Sequence, residues 1–82
     1  MALFKLNGMT HYVPVRDVQI KEVSSGRFEI AFDEGAHIFT VVGGRASGGA
    51  AHEWFCHRPE MFGDVWLPTK SMAAAIKLGC CY

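Results

Sequence analysis

The most chemically active side chains lie in AHEWFCHRPEMFGD, residues 51–64, which combines two histidines, a cysteine, acids and three aromatic rings. If this segment is helical, His52 and Cys56 lie four apart on one face with Cβ atoms about 5 to 6 Å from each other, a workable pair of zinc ligands. If it is a strand, about 13 Å separates them. The local conformation therefore decides between a metal site and an ordinary strand.

Several features favour a strand over residues 50–57, with a helix kept as the alternative. Trp54 and Phe55 are better strand formers than helix formers, and the glycines at 48 and 49 resist helix initiation. Pro59 would end any helix after two turns. We expect RPEMFGD, residues 58–64, to be a hairpin connection to a further strand in VWLPT.

Zinc binding would need three or four ligands. The remaining candidates are His11, His37 and the adjacent Cys80 and Cys81, and none of them stands at a recognised spacing. We therefore predict no metal ligand and no cofactor.

The neighbouring Cys56 and His57 raise the question of a thiol nucleophile and its base. Consecutive strand residues point to opposite faces, so these two cannot share a proton directly. A base from elsewhere, such as His37, would have to approach through the fold. We predict no catalytic residue, and we favour a non-enzymatic protein over an enzyme.

A glycine-rich segment, GGRASGG at residues 43–49, is the other candidate for chemistry. Its backbone N–H groups and Arg45 have the properties of an anion site. It lacks the Lys-Ser/Thr end of a P-loop and any convincing following helix, and it is not GxGxxG. The sequence favours a turn or a bulged strand end.

Strand patterns run along most of the chain. ALFKL and MTHYV flank Asn7-Gly8, which predicts a β-hairpin with a type I′ turn, and Pro14 ends the second strand. Residues 16–23 and RFEIAF, residues 27–32, alternate apolar and polar side chains, as half-buried strands do. AHIFTVV, residues 36–42, is apolar on both faces and therefore needs cover on both sides.

The one convincing helix is TKSMAAAIKLG, residues 69–79. Thr69 or Ser71 can cap its start, and Gly79 sits where a left-handed residue often follows a helix. The predicted fold class is α+β, with an antiparallel meander of five to six strands, open or curled into a partial barrel, and the C-terminal helix on one face. Because a helix of about three turns covers only three or four strands, we expect the rest of the sheet either to curl into a partial barrel or to meet a partner.

Length and composition limit the function classes. The 82 residues predict a single domain, 1–82. Eight basic and eight acidic residues cancel, and their scatter argues against nucleic-acid binding. Three cysteines, with no secretory signal and no long apolar run, predict a cytoplasmic protein without a membrane segment.

Aromatic residues exceed what one helix on a sheet needs for its core, at ten of 82 positions. Adjacent strand residues diverge, so these rings cannot all point inward, and a surplus apolar face usually marks an interface or ligand surface. The candidate binding residues are Phe39, Trp54, Phe55, Trp66, Arg45 and His52.

We therefore expect an interaction module that forms a homodimer or homo-oligomer, or docks on another protein, through an apolar sheet face. Small proteins of this type are often encoded by phages and mobile gene cassettes, an association by type alone. The alternative is a small-molecule-binding protein or, ranked after it, an enzyme, with an aromatic pocket between sheet and helix or at a dimer interface.

Overall fold

The computed structural model describes residues 2–44 and 52–80. These residues form seven strands and two helices in chain order: β1 Ala2–Leu6, β2 Met9–Val13, β3 Gln19–Ser24, β4 Arg27–Phe32, β5 His37–Gly43, β6 Trp54–His57, α1 Pro59–Phe62, β7 Leu67–Thr69 and α2 Met72–Gly79. The α+β class with an antiparallel sheet and a C-terminal helix is confirmed. None of the helices in these residues is long and apolar enough to span a bilayer.

Strands β1 and β2 form the predicted hairpin. Asn7 and Gly8 have φ angles of 52° and 79°, the left-handed pair that a type I′ turn requires. β2 ends at Val13, directly before the proline. The hairpin is a separate two-stranded sheet and does not extend the larger one.

The larger sheet has five antiparallel strands in the order β3-β4-β5-β6-β7, so β5 is its central strand. The sheet is open and does not close into a barrel. The turn between β4 and β5 uses left-handed backbone at Asp33, Glu34 and Gly35, with φ angles of 53°, 58° and 86°. Asp33 also binds back to Arg16 through its backbone N–H, 2.7 Å from the carbonyl oxygen of Arg16.

Three local predictions need correction. The strand expected from residue 16 begins at Gln19, because Asp17 takes a left-handed conformation, φ 53°. The connection expected at residues 58–64 contains helix α1, which Pro59 can begin because a residue in the first turn needs no backbone N–H. Gly79 is the last residue of α2 and not a left-handed residue after it; Cys80 is the C-cap, φ −88°.

One face of the five-stranded sheet, called the inner face, is covered by α2 and the β1–β2 hairpin together. The core joins Ile30 and Phe39 of the sheet to Ile76 of α2 and Phe4 and Val13 of the hairpin. The part of this face that the short helix leaves open is thus covered by the chain's own N-terminal hairpin. Ser71 caps α2 by accepting a hydrogen bond from the backbone N–H of Ala74, 3.1 Å.

Gly79 has a packing role that the sequence pattern did not reveal. A Cβ atom placed there would lie 2.2 Å from the ring of Phe39, a separation that no real contact has. The absence of a side chain lets α2 approach β5 closely enough to bury Phe39, which is 2% exposed. Gly43 similarly makes room for the ring of Trp54.

Candidate functional site

The opposite face of the sheet, called the outer face, has neither the helix nor the hairpin over it. Its residues alternate along each strand with the buried core residues, since side chains of a strand point alternately to the two faces. The outer face includes Lys21, Arg27, Glu29, Ile38, Thr40, Val42, Phe55, His57 and Trp66.

The register of the strands arranges these residues in transverse rows. Arg27 of β4 lies opposite Val42 of β5, which lies opposite Phe55 of β6. These residues and Trp66 line a hollow of about 330 Å³. Among these described lining residues, Arg27 is charged and the other three are apolar.

The next row holds Glu29, Thr40 and His57, again directly opposite one another. His57 stacks on Trp66, with ring centroids 4.3 Å apart and planes 12° apart. The Nε2 atom of His57 lies 2.9 Å from Oδ1 of Asp64. This hydrogen bond and the stacking hold the Trp66 ring against the sheet while leaving the residue 40% exposed.

The outer face therefore has two unlike halves on either side of β5. Strands β3 and β4 carry charged side chains, with Lys21, Arg27 and Glu29 all exposed. Strand β6 and the residue before β7 carry rings, including Phe55 and Trp66. Between the halves, Ile38 on β5 is 52% exposed.

The six residues predicted from the sequence to bind a partner are separated by the fold. Phe55 and Trp66 come together in the hollow of the outer face. Trp54 lies on the inner side, half-buried and near Phe28, with ring centroids 6.0 Å apart. Phe39 is buried in the core and His52 is exposed in the turn before β6. Arg45 lies outside the described residues.

Sequence reasoning missed Arg27, Ile38 and Val42 as members of the same surface. The alternation of RFEIAF and HIFTVV does assign each of them to a face, and that signal was available. It was not decisive, because only the strand register shows that the three residues lie near Phe55 and Trp66.

Arg58 is the second residue that the sequence did not single out, and it is 3% exposed. Its Nη1 donates to the carbonyl oxygen of Gly79 at 2.6 Å, and its Nε donates to Oε1 of Glu60 at 3.0 Å. Its guanidinium lies 4.9 Å from the centre of the Phe32 ring. A positive charge at the carbonyl end of α2 is favourable to the helix dipole, so Arg58 joins β6, α1 and α2.

Glu60 completes this cluster from the surface. Its Oε1 accepts hydrogen bonds from Arg58 and lies 2.9 Å from Nδ1 of His37. The hydrogen bonds from Arg58 first, and from His37 second, lower the pKa of the Glu60 carboxyl below its ordinary value of 4.5. No sequence motif predicts these contacts, because they join residues from β5, the end of β6 and α1.

The two described thiols are not placed for nucleophilic chemistry. Burial raises the pKa of Cys56 to about 11 and that of Cys80 to about 12, and the nearby positive charge of Arg58 offsets only part of this effect. Both thiols are therefore protonated at neutral pH, and the thiolate is the reactive form. Cys56 points to the inner face and its neighbour His57 to the outer face, as alternation predicts.

Metal chelation has no support in residues 2–44 and 52–80, where no three His, Cys, Asp or Glu side chains are grouped to hold an ion. Residues 54–57 form a strand, so the favoured interpretation is confirmed for them, whereas residues 52 and 53 precede the strand and do not belong to it. The prediction for residues 50 and 51 lies outside the described residues.

The outer face is thus a sheet surface with an apolar hollow, and within the described residues it has no catalytic constellation. The chain matches no protein-family model, no curated protein and no solved structure. Its functional interpretation accordingly depends on the geometry of this surface.

Proposed function

We propose that the protein is a small non-enzymatic interaction module that pairs with a second copy of itself through the outer face of its sheet. The observation that carries the proposal is the apolar surface on which Ile38 and Trp66 are exposed and Phe55 is half-buried, around a buried Val42. Exposed apolar patches on small domains commonly mark interfaces.

The two halves of the outer face favour a second copy as the partner. Consider a two-fold axis that runs parallel to β5 between two facing sheets. It lays β4 of one copy over β6 of the other, because both strands are immediate neighbours of β5. The charged half of each copy then covers the ringed half of its partner.

The register makes these pairings specific. Arg27 and Phe55 share one row, so Arg27 of one copy faces Phe55 of the other, a cation over an aromatic face. Glu29 and His57 share the next row, so an acid faces an imidazole. Ile38 faces its own copy on the axis, and two apolar side chains are buried together.

Neutral net charge also supports self-association. The eight basic and eight acidic residues leave no long-range repulsion between copies. Copies of a strongly charged chain would repel one another before contact.

Pairing through the sheet edges is less favourable than pairing through the face. Suppose that two copies pair edge to edge through β3, about a two-fold axis perpendicular to the sheet. Residues opposite each other then point to the same face, so the two longest overlaps of β3 with its copy are centred on Lys21 or on Glu22. Either register places like charges directly opposite each other, which is destabilising. At the other edge, β7 has three residues and contains Pro68, which cannot donate a ladder hydrogen bond.

The area of the face sets the expected affinity. Five strands about 4.8 Å apart and roughly five residues long make a face of about 400 Å² in projection. This is at the small end for stable dimers, which bury about 800 Å² on each partner. We therefore expect a dissociation constant in the micromolar range.

Sedimentation equilibrium between about 1 and 300 µM tests the proposal. We expect the mass to rise from that of the 9.0 kDa chain toward twice that value. Phe55→Lys should abolish the rise, because it sets a cation against Arg27 of the partner. Glu34→Lys, the same type of introduced charge in the turn before β5, should leave it intact. A mass that stays at 9.0 kDa throughout would refute the proposal.

Cross-linking tests the direction of the two-fold axis. Ile38→Cys should form an intermolecular disulfide under mild oxidation, because residue 38 faces its own copy. Lys21→Cys should not, since it faces Trp66 of the other copy. The wild-type chain under the same oxidation gives the background from its own cysteines. A linked Lys21→Cys dimer without a linked Ile38→Cys dimer would refute this arrangement.

A further inference from the structure

A second cavity lies on the inner side of the sheet, at the tip of the hairpin. Its volume is about 500 Å³, and its walls come from the β1–β2 turn, β4, β6 and the start of α2. This volume falls in the range of about 300 to 1,000 Å³ that holds small organic ligands. The cavity is separate from the outer face and from the proposed dimer contact.

Aromatic and thioether side chains form the apolar part of the cavity. Phe28 and Trp54 lie side by side with planes 40° apart, and both are half-buried. Met72 of α2 and Leu6 of β1 continue the apolar lining. Rings and flexible methionines of this kind accept a flat hydrocarbon group.

The polar lining has one sign of charge. Lys70 and His11 line the cavity, and among the described lining residues there is no aspartate or glutamate. The chain as a whole is neutral, so the positive charge of Lys70 in this lining is a local property of the site. An anionic group of a ligand is therefore favoured beside Lys70.

We propose that this cavity binds a small amphipathic carboxylate, with an aromatic body against Phe28 and Trp54 and its carboxylate near Lys70. The proposal goes beyond self-association, and it does not depend on it. The apolar walls select the aromatic body of the ligand, and Lys70 selects its carboxylate.

A matched pair of probes separates the two parts of the recognition. 4-Phenylbutyrate and 4-phenylbutanol have the same aromatic body, and only the first has a carboxylate. We expect both to shift backbone amide resonances of residues 6–11 and 70–73 and the Trp54 indole N–H in two-dimensional ¹H–¹⁵N spectra. We expect the carboxylate to bind about two- to fivefold more tightly, the effect of one partly exposed charge pair.

Variants identify the groups responsible. Lys70→Gln should reduce the affinity for the carboxylate to that for the alcohol, whereas Lys77→Gln, which changes an exposed lysine of α2 outside the cavity, should leave both unchanged. Ala73→Leu should fill the cavity and weaken both probes while the dispersed spectrum shows that the fold persists. If Ala73→Leu does not fold, Met9→Ala, at an exposed position, gives the second test by weakening both probes.

The contrary results are equally clear. If neither probe shifts these resonances at millimolar concentration, the cavity is not a ligand site. If the shifts instead map to Phe55 and Trp66, the ligand site is on the outer face and the proposal is wrong. Equal affinities for the two probes would refute the role of the cationic rim. None of these results depends on the mass measured by sedimentation.

Discussion

Ile30 and Ile38 lie on neighbouring strands of one sheet, yet Ile30 is fully buried on the inner face and Ile38 is 52% exposed on the outer face. The difference is one of cover, because α2 and the hairpin both pack against the inner face. β5 is apolar on both faces, yet only its inner side is covered by other parts of the described chain. This comparison teaches that hydrophobicity alone does not locate the core of so small a domain.

The largest expected effect compares the same substitution on the two faces. Ile30→Ala should lower the free energy of unfolding by about 2 to 5 kcal/mol, because it leaves a cavity in a closed core. Ile38→Ala should cost less than about 1 kcal/mol, since much of its surface is already in water. Urea unfolding at low micromolar concentration measures both. Equal losses would mean that the outer face is covered within one copy.

Arg58 extends the comparison to charged residues. Arg58→Ala should lower the free energy of unfolding by about 2 to 3 kcal/mol, because the Gly79 carbonyl loses its hydrogen bond and Phe32 loses the packed guanidinium. Arg27→Ala, which removes the same side chain from the outer face, should leave the stability of the monomer nearly unchanged. Thermal unfolding of both variants at low concentration measures these two changes in stability. Similar losses of stability in the two variants would contradict the prediction.

Gly79 tests why the inner face closes so tightly. Gly79→Ala should cost about 1 to 3 kcal/mol despite the higher helix propensity of alanine, because its Cβ overlaps the ring of Phe39. Phe39→Leu in the same chain should recover part of this loss by removing the overlap. If the losses of stability from Gly79→Ala and Phe39→Leu simply add in urea unfolding, contact with the Phe39 ring does not explain why alanine is unfavourable at residue 79.

Glu60 gives the smallest effect, and it depends on pH. A carboxyl whose pKa is lowered on folding contributes stability above its unfolded pKa and loses it as the pH falls through the folded value. The stabilisation from Glu60 should therefore be complete above about pH 5 and disappear as the pH falls below 4.5. The stability difference between wild type and Glu60→Gln should shrink over that range, measured by urea unfolding at successive pH values. Glu34→Gln, in the turn before β5, controls for the loss of a charge, and a difference that grows on acidification would contradict the assignment.

Local patterns determined the elements with little help from the rest of the chain. Asn7-Gly8 favours left-handed backbone and so determined the hairpin turn. The alternation of RFEIAF determined which of its residues face the core, and the alanine-rich run determined α2, although the sequence left Thr69 and Ser71 open as its cap and the structure has Ser71. Each of these depends on residues within a few positions of one another, which is why the sequence reveals them.

The candidate site was only partly predictable. Phe55 and Trp66 were predicted as surface residues from their number and spacing, and they do share the outer hollow. Phe39 was grouped with them because the sequence does not show that Gly79 makes room to bury its ring. Trp54 was grouped with its neighbour although alternation sends the two rings to opposite faces.

The sequence by itself determined the α+β class, the hairpin, the antiparallel strands and an excess of apolar side chains over what one short helix can cover. Only the tertiary structure decided that the hairpin covers the inner face beside α2, that Arg58 closes the carbonyl end of that helix, and that Arg27, Val42, Phe55 and Trp66 form one surface. The physical reason is the sequence separation of the interacting residues. Helix and strand propensity and side-chain alternation act over a few residues, whereas the covering of a sheet face, strand register and close helix–sheet approach join residues that are distant in the chain.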